Sequence, residues 1–265
     1  MKTALLVSTY NWPEALSLIF KSIENQSVAP DEVLIADDGS AEETKKLINE
    51  FKKQSNLKIH HFWHEDRGFR KSEVLNKAIA GSKSDYIIQI DGDCIMHPDF
   101  IKDHLAIAEK KVFLFGSRVN ITKDFIPKVF EDKIIDFNFL STGIKKRGRT
   151  IRIPYLRNRN VKSLDFSNKV RGCNLSFWRS DFLKVNGYNE DISGWGREDS
   201  ELVLRMLNAG IGGKRLKYGG IIYHIYHPEA SKDQLGSNNE IQQATISQKK
   251  KKCENGVSKY LISSE

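Results

Sequence analysis

Cysteines and long apolar segments are both scarce in this sequence. Its three cysteines, Cys94, Cys173 and Cys253, are odd in number and widely spaced, which excludes a disulfide framework and a zinc-binding pattern. A reducing compartment fits this content. The apolar run at residues 4–7 is far shorter than that of a signal peptide, and no later run approaches the roughly 18 residues of a membrane-spanning helix. We therefore expect a cytoplasmic protein, either soluble or peripheral at the inner face of the membrane.

Internal repeats and a glycine-rich phosphate loop are absent as well. The segment after the first predicted strand reads Ser8-Thr9-Tyr10-Asn11-Trp12-Pro13, where a nucleotidyltransferase would carry glycines. The net charge of +8 favours an anionic partner. The basic stretch 145–159 nevertheless contains few aromatics and no nucleic-acid-binding motif, so we expect no nucleic acid partner.

Short β-rich segments alternate with helical ones through the first half of the chain. The predicted strands are residues 3–8, 32–37, 57–63, 86–90 and 112–117. Pro13 begins a first helix, Ser40 and Glu43 form a capping box before a second, and Pro98 begins a later one. A further helix is predicted at residues 198–208. This alternation predicts an α/β fold with a mixed, mainly parallel sheet covered by helices on both faces.

An acidic motif follows the strand predicted at 86–90. Asp91 and Asp93 are separated by Gly92, which lets the turn approach a ligand closely. Ligands bind at the carboxyl ends of strands in such sheets, and two carboxylates there suit a hard divalent cation that also binds phosphate. A histidine of the later segment Tyr223-His224-Ile225-Tyr226-His227 could complete the metal site. The alternative is a polar turn without function.

Polar groups also follow the first two predicted strands. Asp37 and Asp38 lead into a helix, where they either cap it or accept hydrogen bonds from a base or ribose. Ser8 and Tyr10 offer a hydroxyl and an aromatic face on which a base could stack. Because parallel strands end at a shared edge, these groups should converge with the acidic motif.

A tryptophan between two glycines precedes a second acidic pair. Trp195 should be displayed on a loop rather than buried. Glu198 and Asp199 begin the helix predicted at 198–208, where carboxylates also favour the positive end of the helix dipole. The functional interpretation is an aromatic platform for a sugar beside a carboxylate base for a hydroxyl.

Four motifs together carry a family resemblance. They are Val7-Ser8-Thr9-Tyr10-Asn11, Ala36-Asp37-Asp38-Gly39-Ser40, Ile90-Asp91-Gly92-Asp93 and Gly194-Trp195-Gly196-Arg197-Glu198-Asp199. In that order they resemble family-two glycosyltransferases of the GT-A (Rossmann-like) fold. The later part is similar to a C-terminal module shared with galactosyltransferases. Within the family, the chain is similar to bacterial enzymes of polysaccharide and lipopolysaccharide synthesis.

The resemblance implies a role for each matching residue. It implies nucleotide binding by Ser8, Tyr10, Asp37, Asp38, Arg67, Arg70 and Asp91. It implies metal binding by Asp93, Asp91 and His224, with His227 as the alternative histidine. It implies contacts with sugar or acceptor by Trp195, Glu198 and Asn174. Asp199 would be the catalytic base, with Glu198 beside it.

The implied function is that of an inverting glycosyltransferase dependent on Mn²⁺ or Mg²⁺. It would move a hexose or N-acetylhexosamine from a UDP-sugar to a hydroxyl of a glycan or glycolipid, in synthesis of cell-surface polysaccharide or lipopolysaccharide. Residues 1–118 would bind the nucleotide sugar, 119–228 would hold the acceptor and catalytic groups of the same domain, and 229–265 would form a polar extension. The alternatives are a catalytically silent carbohydrate-binding or scaffold protein on this fold and, less favoured, a nucleotidyltransferase.

The basic stretch 145–159 has a separate interpretation. We interpret it as an acceptor-side or membrane-facing surface. Lys145, Lys146 and Arg147 are the groups that would contact an anionic membrane.

Overall fold

A computed structural model of the protein describes residues 1–228 and 231–261. Its β-strands are β1 (Thr3–Thr9), β2 (Glu32–Asp37), β3 (Ile59–Trp63), β4 (Tyr86–Asp91), β5 (Cys94–Met96), β6 (Val112–Phe115), β7 (Arg118–Ile121), β8 (Ile144–Lys145), β9 (Leu175–Trp178), β10 (Gly212–Arg215) and β11 (Ile222–His224). Its α-helices are α1 (Pro13–Glu24), α2 (Glu42–Gln54), α3 (Lys71–Gly81), α4 (Phe100–Leu105), α5 (Ile126–Glu131), α6 (Arg179–Lys184), α7 (Glu198–Asn208) and α8 (Leu235–Ser247). The five predicted strands, the start at Pro13 and the helix at 198–208 are therefore confirmed.

Seven strands form the central sheet in the order β10-β6-β9-β4-β1-β2-β3. β1 pairs in parallel with β2 and β4, β2 with β3, and β10 with β6. Only β9 runs antiparallel to its neighbours in this sheet. The sheet is thus mixed and mainly parallel, as the sequence predicts, and the loops after β1, β2 and β4 meet at its carboxyl edge.

Helices cover both faces of the sheet because its central strands are apolar on both sides. Leu5 and Val7 of β1 pack into a core with α1 and α2, while Ala4 and Leu6 pack into a second core with α3 and α7. Successive side chains of a strand point to opposite faces, so all four are fully buried. Such two-sided burial is typical of parallel sheets and fixes the strand ends that carry the polar loops.

A smaller sheet, in the order β5-β11-β7-β8, joins the two halves of the chain. Within it β11 lies between β5 and β7, so that His224 pairs with Cys94 on one side and Asn120 on the other. This register places His224 beside Asp93, the residue before Cys94. The boundary predicted at residues 118/119 falls at the start of β7, and the division into functional halves stays a prediction.

Two predicted helix starts are wrong. The helix α2 begins two residues after Ser40, whose hydroxyl accepts a hydrogen bond from Asn11 N (2.9 Å) and does not cap the helix. The capping box fails because Asn11 Oδ1 accepts the hydrogen bond from Ala41 N (2.7 Å). Likewise α4 begins two residues after Pro98, which lies in the preceding turn.

The chain after β7 is less regular than the first half. Residues 122–171 contain α5, β8 and short 3₁₀ turns. In the predicted extension 229–265, α8 packs against α7, where Thr245 Oγ1 donates to the buried Glu201 Oε1 (2.9 Å). Residues 229, 230 and 262–265 lie outside the described residues. Within residues 1–228 and 231–261, no helix has both the length and the apolar character needed to cross a bilayer.

Candidate active site

A large cavity of about 1080 Å³ opens at the carboxyl edge of the central sheet. Its walls come from the loops after β1, β2 and β4, the segment before β9, the start of α7 and the segment after β11. The predicted site residues that line it are Ser8, Tyr10, Asp38, Asp91, Asp93, Trp195, Glu198, Asp199 and His224, together with the alternative ligand His227. The structure therefore brings most of the predicted site into one place.

Two predicted residues are structural supports below the wall. Asp37 is fully buried, accepts a hydrogen bond from Ser40 N (2.8 Å) and lies 3.0 Å from His61 Nε2. Asn174 is also fully buried, with its Oδ1 3.1 Å from His104 Nε2. Neither side chain lines the cavity, and ligand contact by Asp37 and Asn174 stays a prediction.

The two predicted arginines lie off the wall as well. Arg67 is exposed and pairs with Glu65 (2.7 Å). The Arg70 guanidinium pairs with Glu73 (2.9 Å), but its backbone N–H donates to Asp38 Oδ2 (3.0 Å). Arg70 therefore acts on the cavity only by orienting Asp38.

The wall after β1 and β2 can hold a planar base. Asp38 Oδ1 lies 2.7 Å from His64 Nε2, which together with Arg70 N fixes the carboxylate. Burial raises the pKa of Asp38, although hydrogen bonds from His64 and Arg70 oppose this. Tyr10 is half exposed at the same end, and its hydroxyl donates to Asp66 Oδ2 (2.8 Å). An open aromatic ring thus stands near an oriented hydrogen-bond acceptor.

Asp93, His224 and His227 form a candidate metal site. Asp93 Oδ2 lies 3.1 Å from His227 Nε2 and 3.5 Å from His224 Nε2. One ligand atom from each residue lies within 4.8 Å of the other two. The structure thus brings in both histidines between which the sequence left a choice.

The chemistry of these groups fits a divalent ion. Burial raises the pKa of Asp93, but the His227 hydrogen bond and the nearby His224 outweigh it and lower the pKa, so the carboxylate is ionised. Burial lowers the pKa of His224, which keeps its imidazole neutral and able to bind metal. The buried Asn120 Oδ1, on the adjacent strand, has no hydrogen-bond partner in the described part of the chain. Two imidazoles favour a transition ion over Mg²⁺, which prefers oxygen ligands.

Asp91 has a different environment from this triad. Its Oδ1 accepts hydrogen bonds from Ser8 Oγ (2.8 Å) and Lys71 Nζ (2.7 Å). Gly92 N donates to Ser8 O (2.7 Å), and a Cβ at Gly92 would lie 2.9 Å from that oxygen. Gly92 is therefore needed for close packing against the β1 backbone, and its approach to a ligand stays a prediction. Asp91 is turned toward Lys71 rather than grouped with the three metal ligands.

Lys71 is a largely buried cation among three carboxylates. Lys71 is the first residue of α3, and its side chain is 15% exposed. Burial lowers the pKa of Lys71, but the charges of Asp91, Asp199 and Glu198 outweigh this and raise the pKa well above its usual value. Lys71 therefore stays protonated and balances the acidic groups on this wall.

A chain of hydrogen bonds through Gly172, Gln89 and Tyr188 surrounds Asp199. Gly172 N donates to Asp199 Oδ2 (2.7 Å), and Gly172 O accepts from Gln89 Nε2 (3.2 Å). The Tyr188 hydroxyl donates to Gln89 Oε1 (2.9 Å) and lies 3.4 Å from Asp199 Oδ1. Burial raises the pKa of Asp199 although Lys71 opposes it. The result is a fixed carboxylate that is more basic than an ordinary aspartate.

Glu198 is a second unusual acid on the wall. It is 7% exposed, and burial followed by the charge of Asp199 raises its pKa to about 7. The group is therefore partly protonated near neutral pH and can either donate or accept a hydrogen bond.

Trp195 marks the open side of the cavity. Its ring is 41% exposed, as the sequence predicts, and lines the wall with Phe166 and Asn168. Lys232 Nζ lies 5.8 Å from the ring centroid. A sugar ring can stack on such an exposed indole face.

Three residues of this site were not predicted from the sequence: Lys71, Gln89 and Tyr188. Lys71 directly follows Arg70 in the segment that resembles the family's nucleotide-approaching segment, but its pairing with Asp91 is long-range and has no signal in the sequence. Gln89 is a polar residue in an otherwise apolar buried strand, which marks it. Tyr188 has no comparable signal, because its partners are distant in the sequence.

Two models of known protein families match the parts of the chain that carry these motifs. The model described as "Glycosyl transferase family 2" matches residues 4–174. The model described as "N-terminal domain of galactosyltransferase" matches residues 153–228. The two matches overlap and together include every residue of the candidate site up to His227.

Curated relatives match most of the chain at low identity. Chondroitin synthase of Escherichia coli is 24% identical over 241 residues, which is 85% of this chain and 35% of the relative. Hyaluronan synthase of Pasteurella multocida is 26% identical over 242 residues, which is 85% of this chain and 24% of the relative. The chain therefore spans about a third or less of the length of these two proteins.

Solved structures confirm the GT-A fold. S. aureus TarS 1-349 in complex with UDP matches with a TM-score of 0.63 and 16% identity, over 93% of this chain and 65% of that chain. GalNAc-T7 with UDP, GalNAc and Mn²⁺ matches with a TM-score of 0.64 and 16% identity, over 86% of this chain and 44% of that chain. At this identity the likeness establishes the architecture.

Proposed function

The chain belongs to glycosyl transferase family 2, and from this premise we propose that it is an inverting, Mn²⁺-dependent glycosyltransferase. It transfers a hexose or N-acetylhexosamine from a UDP-sugar to a hydroxyl of a glycan or glycolipid. The observation that carries this proposal is the position of Asp199. Its fixed, basic carboxylate faces the same cavity as the Asp93, His224 and His227 triad.

The reaction needs one proton acceptor and no enzymic nucleophile. Asp199 accepts the proton of the acceptor hydroxyl as that oxygen attacks the anomeric carbon. The raised pKa of Asp199 strengthens it as a base, while the charge of Lys71 favours its ionised form. A single displacement inverts the anomeric centre, and Glu198 holds the acceptor hydroxyl or its neighbour.

Asp93, His224 and His227 would hold the metal. A divalent ion bound there would supply positive charge beside the leaving diphosphate. Tyr10 and Asp38, at the other end of the cavity, support uracil as the base, the ring by stacking and the carboxylate by accepting an N–H. Neighbours of this fold solved with UDP, UDP-GlcNAc and Mn²⁺ support the same choice.

We place the acceptor in bacterial cell-surface polysaccharide or lipopolysaccharide. Relatives named as chondroitin synthase and as an O-antigen chain rhamnosyltransferase of Salmonella typhimurium support this assignment. Peripheral contact with the cytoplasmic face of the membrane belongs to the same proposal.

The experiment that tests this function measures UDP release. The protein is incubated with Mn²⁺ and UDP-galactose, UDP-glucose, UDP-N-acetylglucosamine or UDP-N-acetylgalactosamine, and free UDP is quantified. We expect release from at least one donor, loss of it in Asp199→Asn and no change in Asp124→Asn, a matched exposed aspartate. No release from any donor would favour the catalytically silent protein, and unchanged release in Asp199→Asn would remove the assigned base.

A further inference from the structure

Five cations form a strip that leads away from the cavity. We define the cationic strip as Arg118, Lys146, Arg149, Arg171 and Arg215. Arg118 and Arg171 line the main cavity. Arg149 and Arg215 line a small recess of about 60 Å³ whose wall also includes Lys217 and has no carboxylate. The strip therefore connects the site of transfer to a second concavity.

The strip lies far from the end of the cavity that is assigned to the nucleotide base. Arg118 follows β6 and Arg215 ends β10, while Asp38 follows β2. In the sheet order, β6 and β10 are four and five strands from β2. At about 4.8 Å between strands this is roughly 19–24 Å, so the strip is well separated from the end assigned to the nucleotide base.

Carboxylate partners distinguish the strip from its neighbours. Arg152 and Arg157, in the same basic stretch, both pair with the buried Asp103 at 2.7 Å. By contrast, no carboxylate oxygen in residues 1–228 and 231–261 lies within 4.0 Å of a strip side chain. Two of these cations instead donate to main-chain oxygens: Arg149 NH1 to Arg118 O (2.8 Å) and Arg171 NH1 to Asn168 O (2.8 Å).

Crowding of these like charges has a measurable consequence. Burial, then the neighbouring Arg149, Arg118 and Arg171, lower the pKa of Lys146. Lys146 also has a left-handed backbone (φ 64°), which is unfavourable for a residue with a Cβ. A bound anion would relieve the repulsion.

We propose that the cationic strip binds negatively charged groups of the acceptor, which is therefore an anionic glycan bearing phosphodiesters or uronic acids. The proposal rests on the proposed function. The recess is large enough for one phosphate or carboxylate group, and the bond-forming end of the same acceptor reaches Asp199 along Arg171. A bilayer is the disfavoured occupant, because a flat surface does not enter a recess of this size.

Binding to defined oligomers tests this assignment. Calorimetry compares a hexasaccharide of alternating glucuronic acid and N-acetylglucosamine, a glycerol phosphate oligomer of similar charge, and the neutral N-acetylglucosamine hexamer. The variant Arg149→Gln/Arg215→Gln is measured beside Lys250→Gln/Lys251→Gln, two exposed lysines elsewhere. Arg215→Gln alone replaces the double variant if that protein does not fold.

We expect at least one anionic oligomer to bind tenfold or more tightly than the neutral one. We expect that binding to weaken at least fivefold in the strip variant, to weaken with salt, and to be unchanged in the lysine control. The anionic oligomer that binds more tightly shows whether the strip prefers phosphate groups or uronate groups. Equal affinity for charged and neutral oligomers, or binding only to phosphatidylglycerol vesicles, would overturn the proposal.

UDP binding and UDP release are measured on the same preparations. Both should stay within twofold of the unmodified protein in the strip variant. Loss of donor activity in the unmodified protein would count against the transferase, whereas normal donor activity without anionic oligomer binding would count against the strip alone.

Discussion

Lys71 Nζ lies 2.7 Å from Asp91 Oδ1, and this pair joins the two functional ends of the cavity. Asp91 ends β4, in the half of the chain assigned to nucleotide binding. Lys71 also faces Asp199 and Glu198 at the start of α7. The lysine thus supplies the common counter-charge of Asp91, Asp199 and Glu198.

Replacing Lys71 should therefore change the pKa of the proposed catalytic base, Asp199. In Lys71→Met the three carboxylates lose their common counter-charge, so the pKa of Asp199 should rise and UDP release should fall by about 100-fold at pH 7. Unfolding free energy should fall by roughly 2 kcal/mol, since a largely buried pair loses one partner. Steady-state kinetics and urea denaturation measure both. Lys77→Met is the control, because Lys77 pairs with Glu73 on the same helix away from the cavity.

Gly172→Ala should separate catalysis from donor binding. An added Cβ at Gly172 would lie 2.2 Å from Asp199 Oδ1, so the base must move. We expect transfer to fall by at least about 100-fold, consistent with the sensitivity of catalysis to small displacements. UDP affinity should stay within about twofold. Gly148→Ala, where nothing lies within 4 Å, should leave both unchanged. Normal turnover in Gly172→Ala would mean that Asp199 is not the base.

Glu198 should make the protein less stable as pH rises. Its pKa is about 7 in the folded protein and 4.5 ordinarily, so the folded state binds the proton more tightly. The stabilisation from Glu198 is fully present below pH 4.5 and is lost as pH rises through about 7. Glu198→Gln should raise the unfolding free energy at pH 8 by about 3 kcal/mol and have little effect at pH 4.5. Urea denaturation at both pH values checks this, with the exposed Glu14→Gln as control. Equal effects at the two pH values would contradict it.

Both histidines of the triad should contribute to metal affinity. We expect His224→Ala and His227→Ala each to weaken Mn²⁺ binding by about 10- to 100-fold, as judged by the free-ion signal in electron paramagnetic resonance. His60→Ala, on β3 and outside the cavity, should have no effect. If only one histidine matters, the choice left open by the sequence is decided in favour of that residue.

The sequence predicts the fold well because its signal is local. Apolar strands such as residues 86–90 are fully buried on both faces, and their polar ends must meet at one sheet edge. Asp93 and His224 were paired by family resemblance, and the β5–β11 register explains the pairing. The capping box at Ser40 failed for a non-local reason, since Asn11 took its place.

The site was harder to predict where contacts are long-range. Asp37 and Asp38 are adjacent and chemically identical, but only Asp38 lines the cavity, because successive residues at a strand end point in opposite directions. The hydrogen bonds that connect Gly172, Gln89, Tyr188 and Asp199 bring together four separate segments of the chain. No spacing rule predicts such a contact.

UDP binding by calorimetry, with and without Mn²⁺, tests the central claim most directly. We expect Mn²⁺ to strengthen UDP binding by at least about tenfold in the intact protein, because an ion held by the triad would supply positive charge for the diphosphate. That dependence should disappear in Asp93→Asn, while weak metal-independent binding remains. Absence of UDP binding under every condition, or equal metal dependence in Asp93→Asn, would contradict the account.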